Sequence, residues 1–159
     1  MTPAIRQIKQ KKINCKIYRY EHDTSNTSFG LEVVEKLSLN VHEVFKTLII
    51  HLNSGDFAVA LIPVCSKASM KKIAKALNVK KASMADTIDA QKITGYIQGG
   101  ISPIGQKKQL KTIIDESAKK YKTIYVSGGQ RGLEIEINPK DLQKLTKALF
   151  CDIMLDSCL

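Results

Sequence analysis

The sequence predicts an α+β fold in which helices surround a mixed, largely antiparallel sheet that is curled or barrel-like. The predicted strands outnumber those that a regular alternation of strands and helices needs. Several neighbouring strands are also joined by short turns, of which Asn53-Ser54-Gly55-Asp56 is the clearest, and short turns connect antiparallel neighbours. A length of 159 residues suits one domain, which we expect to span residues 1–159. A doubly wound parallel sheet is the alternative.

The first half of the chain begins with a helix that Thr2 caps and that Pro3 opens. Alternation then predicts a half-buried strand over residues 13–20, with Ile13, Cys15 and Ile17 on its apolar face. The elements that follow are a helix over 31–37, strands over 44–50 and 57–64, a helix after Ser69 and a short strand over 79–83.

The second half of the chain continues the same mixture of helices and strands. Its predicted elements are a helix over 87–94, a strand over 110–114, a short helix over 116–121, strands over 123–126 and 133–137, a last helix after Asn138-Pro139 with Leu142, Leu145 and Leu149 as its apolar stripe, and an edge strand over 151–154. On the strand over 133–137, Glu134 and Glu136 are expected to face outward, as a solvated face or as acid and base groups.

The stretch from Thr94 to Gly105, called the glycine loop below, contains four of the nine glycines. Gly99-Gly100 predicts bare main chain whose N–H groups can face a ligand, and Pro103 stiffens the loop. Because lysines follow at once, the loop suits an anionic or carbonyl-bearing ligand; a plain tight connection is the alternative. It lacks the lysine and hydroxyl residue that complete a nucleoside triphosphate loop.

The charge balance indicates a polyanionic partner. Lysine and arginine number 25 against 15 acidic residues, a net charge of +10. Such an excess favours nucleic acid through phosphate contacts, and a solvated lysine-rich surface is the simpler alternative.

Several classes of protein are disfavoured. No apolar run has the length of a membrane span, and residues 1–6 do not resemble a signal peptide, so a cytoplasmic location is expected. The cysteines at positions 15, 65, 151 and 158 are isolated, and so are the three histidines. This spacing argues against a metal site and against a disulfide framework.

Lys46 interrupts the apolar run from Val44 to Ile50. A cation in such a run needs a partner, a route to water or a function, and a side chain that reaches water at a strand end is the alternative. Tyr18, Tyr20 and His22 lie on the polar side of the first strand, where they are expected to line a cleft or to form an amphipathic surface.

Four ordered stretches carry a resemblance to a known family: Thr2-Pro3-Ala4, Phe45-Lys46-Thr47-Leu48, Thr94-Gly95-Tyr96 with residues 99–108, and residues 125–129 with Arg131-Gly132-Leu133. In these stretches the chain resembles the YbaK-type Cys-tRNA(Pro) deacylases, from the first residue to about Ile153. The family is similar to the editing insertion domain of bacterial prolyl-tRNA synthetases. The resemblance implies an α+β domain that hydrolyses misacylated tRNA in trans, without a metal or an organic cofactor.

The resemblance also implies site residues. Lys46 becomes the leading catalytic residue, as a binding group or as a stabiliser of charge. An acidic residue is expected on the strand after Leu133, where Glu134 and Glu136 both fit and Glu134 is preferred. The implied substrate-binding residues are Tyr20, Phe29, Gly30, Thr47, Gly99, Gly100, Ile101, Ser102, Pro103, Ser127, Gly128, Gly129 and Glu134.

The chemistry that the resemblance implies is attack by the substrate's own thiol on its ester carbonyl, which releases tRNA and a cyclic thiolactone. Backbone N–H groups of Gly99-Gly100 or Gly128-Gly129 are expected to stabilise the oxyanion. The implied partners are the tRNA acceptor end and, for selectivity, prolyl-tRNA synthetase. The resemblance also allows Cys-tRNA(Cys) as a second substrate. The alternatives are a binding module without activity, and a deacylase for another amino acid such as alanine.

Overall fold

The computed structural model describes residues 1–155. Its strands are β1 (Cys15–Arg19), β2 (Phe45–Leu52), β3 (Phe57–Pro63), β4 (Ala82–Met84), β5 (Lys111–Asp115), β6 (Ile124–Ser127), β7 (Leu133–Ile137) and β8 (Leu149–Cys151). Its α-helices are α1 (Pro3–Lys11), α2 (Phe29–Leu37), α3 (Met70–Ala76), α4 (Thr87–Thr94) and α5 (Pro139–Thr146). Short 3₁₀ helices occupy Val41–Glu43 and Glu116–Lys120.

The strands form two sheets. The smaller sheet has the order β1-β7-β6 and is antiparallel throughout. The larger sheet has the order β4-β2-β3-β5-β8; its first three strands are antiparallel, whereas β5 is parallel to both β3 and β8. The mixed, largely antiparallel α+β class is therefore confirmed. The barrel-like closure is wrong, because the sheets remain two separate sheets that meet at a bridge between Val44 and Tyr125.

The main hydrophobic core lies between the two sheets. Ile135 and Ile137 of β7 belong to one buried cluster with Leu61 of β3 and Ile114 of β5. Helix α1 adds its buried residues Ile5 and Ile8 to the same cluster. A second cluster on the larger sheet includes Ile73 of α3. The residues that the site uses therefore lie on two sheets that a shared core holds together.

Local signals determine most helix starts. The Thr2 hydroxyl accepts a hydrogen bond from Ile5 N at 3.2 Å, and the Asn138 side chain accepts one from Lys140 N at 2.9 Å. The predicted stripe of the last helix is wrong at Leu149, because α5 ends at Thr146 and Lys147 adopts a left-handed conformation (φ 55°). Leu149 instead starts the edge strand β8, two residues before the predicted start.

The apolar face predicted for the first strand is only partly correct. Cys15 is half-buried against the main core, but Ile17 is 41% exposed because β1 is an edge strand of the smaller sheet. Cys15 and Cys151 are free, whereas Cys65 is disulfide-bonded, so the expectation of no disulfide is wrong for Cys65. Cys158 lies outside the described residues.

Two features are absent from the described part of the chain. No helix in it has the length and apolar character that a bilayer span needs. Residues 1–155 also contain no group of three or more His, Cys, Asp or Glu side chains that could hold a metal ion.

The end of the glycine loop packs against the start of α1, and this contact predicts a destabilising substitution. Gly105 has φ +71°, and a Cβ there would lie 2.6 Å from the carbonyl carbon of Pro3. We expect Gly105→Ala to lower the free energy of unfolding by about 2 kcal/mol more than Gly55→Ala. Both substitutions strain the backbone, but only the Cβ added at position 105 collides with other atoms.

Gly55 is a matched control because it has φ +94° and a Cβ there would meet no atom within 4 Å. Chemical denaturation of both variants measures the difference. Equal losses of stability would show that the loop does not press on α1.

Candidate functional site

A cleft of about 440 Å³ opens where the two sheets meet. Its walls come from β2, the start of α2, the glycine loop, the connection between β4 and α4, and the facing ends of β1, β6 and β7. A volume of this size is in the range that small-molecule sites use.

Most of the site residues expected from the sequence line this cleft. They are Tyr20, Phe29, Gly30, Lys46, Thr47, Gly99, Ile101, Ser127 and Glu134. Five expected residues are not among its lining residues: Gly100, Ser102, Pro103, Gly128 and Gly129. The lining residues that sequence reasoning missed include Met84, Ala85 and Thr87, which belong to no motif and reach the cleft because β4 pairs with β2.

The residues outside the lining lie behind the cleft walls or away from them. Ser102 is fully buried, and its hydroxyl accepts a hydrogen bond from Ile104 N at 3.2 Å. The Gly128 carbonyl accepts a hydrogen bond from the Thr2 hydroxyl at 2.6 Å. A Cβ on Gly129 would lie 2.7 Å from the Tyr96 ring. Pro103 lines a separate small pocket of about 100 Å³.

The backbone donors expected for an oxyanion are mostly occupied. Gly100 N donates to the Ile97 carbonyl at 3.0 Å, Gly128 N donates to the Leu133 carbonyl at 2.8 Å, and Gly129 N donates to the Ser127 hydroxyl at 3.2 Å. The expectation is therefore wrong for these three N–H groups. Gly99 N makes no hydrogen bond within residues 1–155 and remains available.

Lys46 is a half-buried cation that has no acidic partner within the part of the chain that the structure describes. Among residues 1–155, no carboxylate oxygen lies within 4.0 Å of its ammonium. Burial lowers the pKa of Lys46, and the charge of Lys67 lowers it further. Because a desolvated cation is costly without a partner, an anionic or electron-rich ligand in the cleft would compensate it.

Thr47 presents unpaired polar groups next to Lys46. The backbone groups of the even-numbered residues of β2 point toward β3, as the hydrogen bonds from Leu52 N to Asp56 O and from Val64 N to Val44 O show. By alternation, the N–H and C=O of Thr47 point to the opposite edge. There β4 pairs only with Ile50 to Leu52 and Tyr125 bridges only Val44, so no strand is in register with Thr47 on this edge.

The Thr47 side chain adds a third group, because its hydroxyl oxygen is buried and makes no hydrogen bond within the described residues. Buried polar atoms in proteins are rarely left unsatisfied. The unpaired edge and the unpaired hydroxyl are therefore a place where a bound ligand would complete the hydrogen bonding.

The two glutamates of β7 differ strongly. Glu134 is 4% exposed and lines the cleft, so the expectation that it faces solvent is wrong. Burial raises the pKa of Glu134 to about 8. Glu136 accepts hydrogen bonds from the hydroxyls of Tyr18 at 2.7 Å and Thr123 at 2.6 Å. Burial pushes the pKa of Glu136 upward, but these hydrogen bonds outweigh it and the pKa is lowered.

The polar side of β1 contributes one residue to the cleft. Tyr20 lines it, and burial raises the pKa of its phenol. His22 points elsewhere: its Nδ1 lies 2.6 Å from the buried carboxylate of Glu32, which joins the end of β1 to α2. Of the three polar side chains expected on this strand, only Tyr20 is placed to meet a ligand.

Comparison with known proteins gives the context of this geometry. Residues 26–145 match the family described as "Aminoacyl-tRNA editing domain". A relative from Enterococcus faecalis (strain ATCC 700802 / V583), named "Putative Cys-tRNA(Pro)/Cys-tRNA(Cys) deacylase EbsC", is 39% identical over 96% of this chain and 92% of its own. The "Uncharacterized protein YwhH" of Bacillus subtilis (strain 168) is 23% identical over 87% of this chain and 85% of its own.

Among solved structures, the crystal structure of "a putative trans-editing enzyme for prolyl tRNA synthetase" superposes with a TM-score of 0.82. The match covers 98% of this chain and 99% of that chain at 19% identity. At this identity, the superposition demonstrates a shared fold.

Burial of Glu134 predicts an unusual dependence of stability on pH. Its pKa is raised from 4.5 to about 8 in the folded protein, so the folded state binds more protons than the unfolded state between these values. The stability that this group contributes is therefore present below about pH 4.5 and is lost as the pH rises through 8. Glu134→Gln stays neutral at every pH. We therefore expect its free energy of unfolding to rise relative to that of wild type by at least about 1 kcal/mol when the pH is raised from 5 to 9.

Urea denaturation at several pH values measures this difference, and parallel curves for wild type and Glu134→Gln would contradict the prediction. Glu136→Gln is the matched control, since the pKa of Glu136 is lowered rather than raised. Its effect has the opposite sign: the wild type's advantage over Glu136→Gln is present above about pH 4.5 and is lost as the pH falls below it.

Proposed function

The chain belongs to the aminoacyl-tRNA editing domain family, and on this premise we propose that it is a trans-editing deacylase that clears Cys-tRNA(Pro). The observation that carries this proposal is the presence, in one cleft, of a half-buried Lys46 that has no acidic partner among residues 1–155 and of the unpaired Thr47 hydroxyl beside it. The 39% identical relative is named for Cys-tRNA(Pro) and Cys-tRNA(Cys), which supports the choice of cysteine and includes tRNA(Pro).

The cleft suits the end of an aminoacyl-tRNA better than a long duplex. Its volume of about 440 Å³ is enough for an aminoacylated terminal adenosine, and the remainder of the tRNA would stay outside. The net charge of +10 favours that remainder through phosphate contacts. Selectivity for tRNA(Pro) would come from prolyl-tRNA synthetase as a partner, and both would meet the substrate in the cytoplasm.

The reaction needs no protein nucleophile. No cysteine or histidine is among the residues that line the cleft within the described chain. The substrate's thiol sulfur attacks its own ester carbonyl carbon, the bond from that carbon to the ribose oxygen breaks, and the thiol proton ends on the ribose hydroxyl. The products are tRNA and a cyclic thiolactone, and the enzyme contributes orientation and charge stabilisation.

Each cleft residue has a role in this scheme. The N–H of Gly99, which is free within residues 1–155, and the N–H of Thr47, which points away from β3, are donors for the oxyanion that forms on the carbonyl. The Lys46 ammonium offsets the negative charge of the attacking sulfur and of the oxyanion. Glu134, which is mostly protonated at neutral pH, donates a hydrogen bond to a substrate oxygen.

Lys46→Ala tests the leading catalytic residue. We expect its single-turnover deacylation rate to fall by roughly two to three orders of magnitude, because an electrostatic contact made mainly in the transition state is lost. We expect the thermal midpoint to stay equal or rise, since an unpaired, half-buried cation is removed. Lys46→Arg should restore little, because a planar guanidinium does not replace a compact ammonium.

Lys144→Ala is the control, as an exposed lysine on α5 that does not line the cleft. A near-normal rate in Lys46→Ala, or a loss that only follows unfolding, would show that Lys46 is structural.

The identity of the amino acid tests the attack by the substrate thiol. On tRNA(Pro) charged with cysteine, serine, alanine or proline, we expect release of cysteine to be at least about tenfold faster than release of the others, since only cysteine carries a thiol. Release is measured with labelled amino acid on matched tRNA. Equal rates for cysteine and alanine would show that water attacks the ester and that the specificity is broader. Binding of charged tRNA without any release would show that the protein is a binding module without activity.

A further inference from the structure

Arg131 is held in a fixed position at the edge of the cleft. Its Nε and Nη2 donate to the Gln98 carbonyl at 3.0 and 2.7 Å. Its guanidinium carbon lies 4.6 Å from the centroid of the Phe29 ring, a cation–π contact. A Cβ on Gly99 would lie 2.7 Å from Arg131 Nε and 2.9 Å from the Phe29 ring, so only glycine permits this packing.

The guanidinium keeps both its charge and part of its hydrogen-bonding capacity. It has five N–H donors, and the two contacts to Gln98 occupy Nε and one N–H of Nη2. Within residues 1–155, no carboxylate lies within 4.0 Å of it and no other acceptor is bonded to it. The remaining N–H groups are therefore free to bind an anion.

The position of Arg131 points to which anion this is. The contacts and neighbours of Arg131 line the cleft; they are Phe29, Gln98, Gly99 and Gln130. Arg131 itself is exposed. The cation therefore lies at the mouth, just outside the space that takes the aminoacylated nucleoside. The first charged group of an RNA that leaves this space is a backbone phosphate.

We propose that Arg131 binds a backbone phosphate of the substrate RNA next to its aminoacylated 3′ end. This rests on the proposed function for the nature of the substrate. The fork of a guanidinium matches two phosphate oxygens, and the stacking on Phe29 and the bonds to Gln98 already hold the side chain in place. Binding therefore costs Arg131 less conformational entropy than it would cost a free surface lysine.

The test is a neutralisation scan of the RNA combined with Arg131→Gln. Short RNAs that end in CCA each carry one uncharged methylphosphonate in place of a backbone phosphate near the 3′ end. Binding is measured by fluorescence anisotropy at fixed salt, because phosphate contacts depend on salt. We expect one linkage whose neutralisation weakens binding to wild type roughly tenfold and leaves binding to Arg131→Gln unchanged.

A structural role for Arg131 would give a different result. If Arg131→Gln only loosens the glycine loop, every RNA binds more weakly by the same factor, and every methylphosphonate keeps its wild-type effect; that outcome overturns the proposal. Arg6→Gln is the matched control, since Arg6 is exposed on α1 and does not line the cleft. Coupling to the same linkage in Arg6→Gln would also overturn it.

The scan reports on binding alone, so it separates this proposal from the proposed reaction. Coupling at one linkage without deacylation of any charged tRNA would support the Arg131 site and contradict the proposed function. Deacylation without such coupling would support the proposed function and contradict the Arg131 site. Absence of RNA binding by wild type at low salt would contradict the site as well.

Discussion

The open edge of β2 is the constraint on which the site depends. β2 pairs with β3 along its whole length, but β4 covers its other edge only from Ile50 to Leu52. The smaller sheet touches the start of this edge at Val44. The gap between these two contacts contains Thr47, whose N–H and C=O point away from β3 and whose hydroxyl makes no hydrogen bond within the described residues. Backbone groups inside a protein are normally paired, so the gap is the place where we propose that a ligand binds.

The glycine loop and the turn before β7 make the opposite wall rigid. Gly100, Gly128 and Gly129 use their N–H groups in hydrogen bonds inside the protein, which fixes the wall and removes these donors from the substrate. Gly99 is the exception, because its N–H is free and the absence of a side chain lets Arg131 lie on Phe29. The four glycines therefore differ in role: three fix the wall through their N–H groups, and Gly99 permits the packing of Arg131 on Phe29.

How much of this was predictable from the sequence depends on the range of the interaction. Helix caps, the hairpin turn and the apolar run of β2 are local, so the predicted elements were close to the observed ones. The burial of Glu134 was not local: β7 lies between β1 and β6, where Tyr18 and Ser127 are the register partners of Glu134. Likewise, the placement of Met84 and Ala85 in the cleft depends on the register of β4, and the sequence contains no signal of it.

The motif residues that point away from the cleft, such as Ser102, show that a motif marks a stretch rather than the atoms that meet a ligand.

The electrostatics of the cleft explain why a charged ligand would be bound there at all. Burial lowers the pKa of Lys46 and raises the pKa of Glu134, so each group is pushed toward its neutral form. The two could offset these costs by forming an ion pair, yet they do not approach within 4.0 Å. A fold selected for stability alone would pair or replace them. Because they stay apart, the positive Lys46 and the neutral, protonated Glu134 occupy separate walls of the cleft. Both can then stabilise a carbonyl oxygen that gains negative charge during ester cleavage, since neither group is engaged by the other.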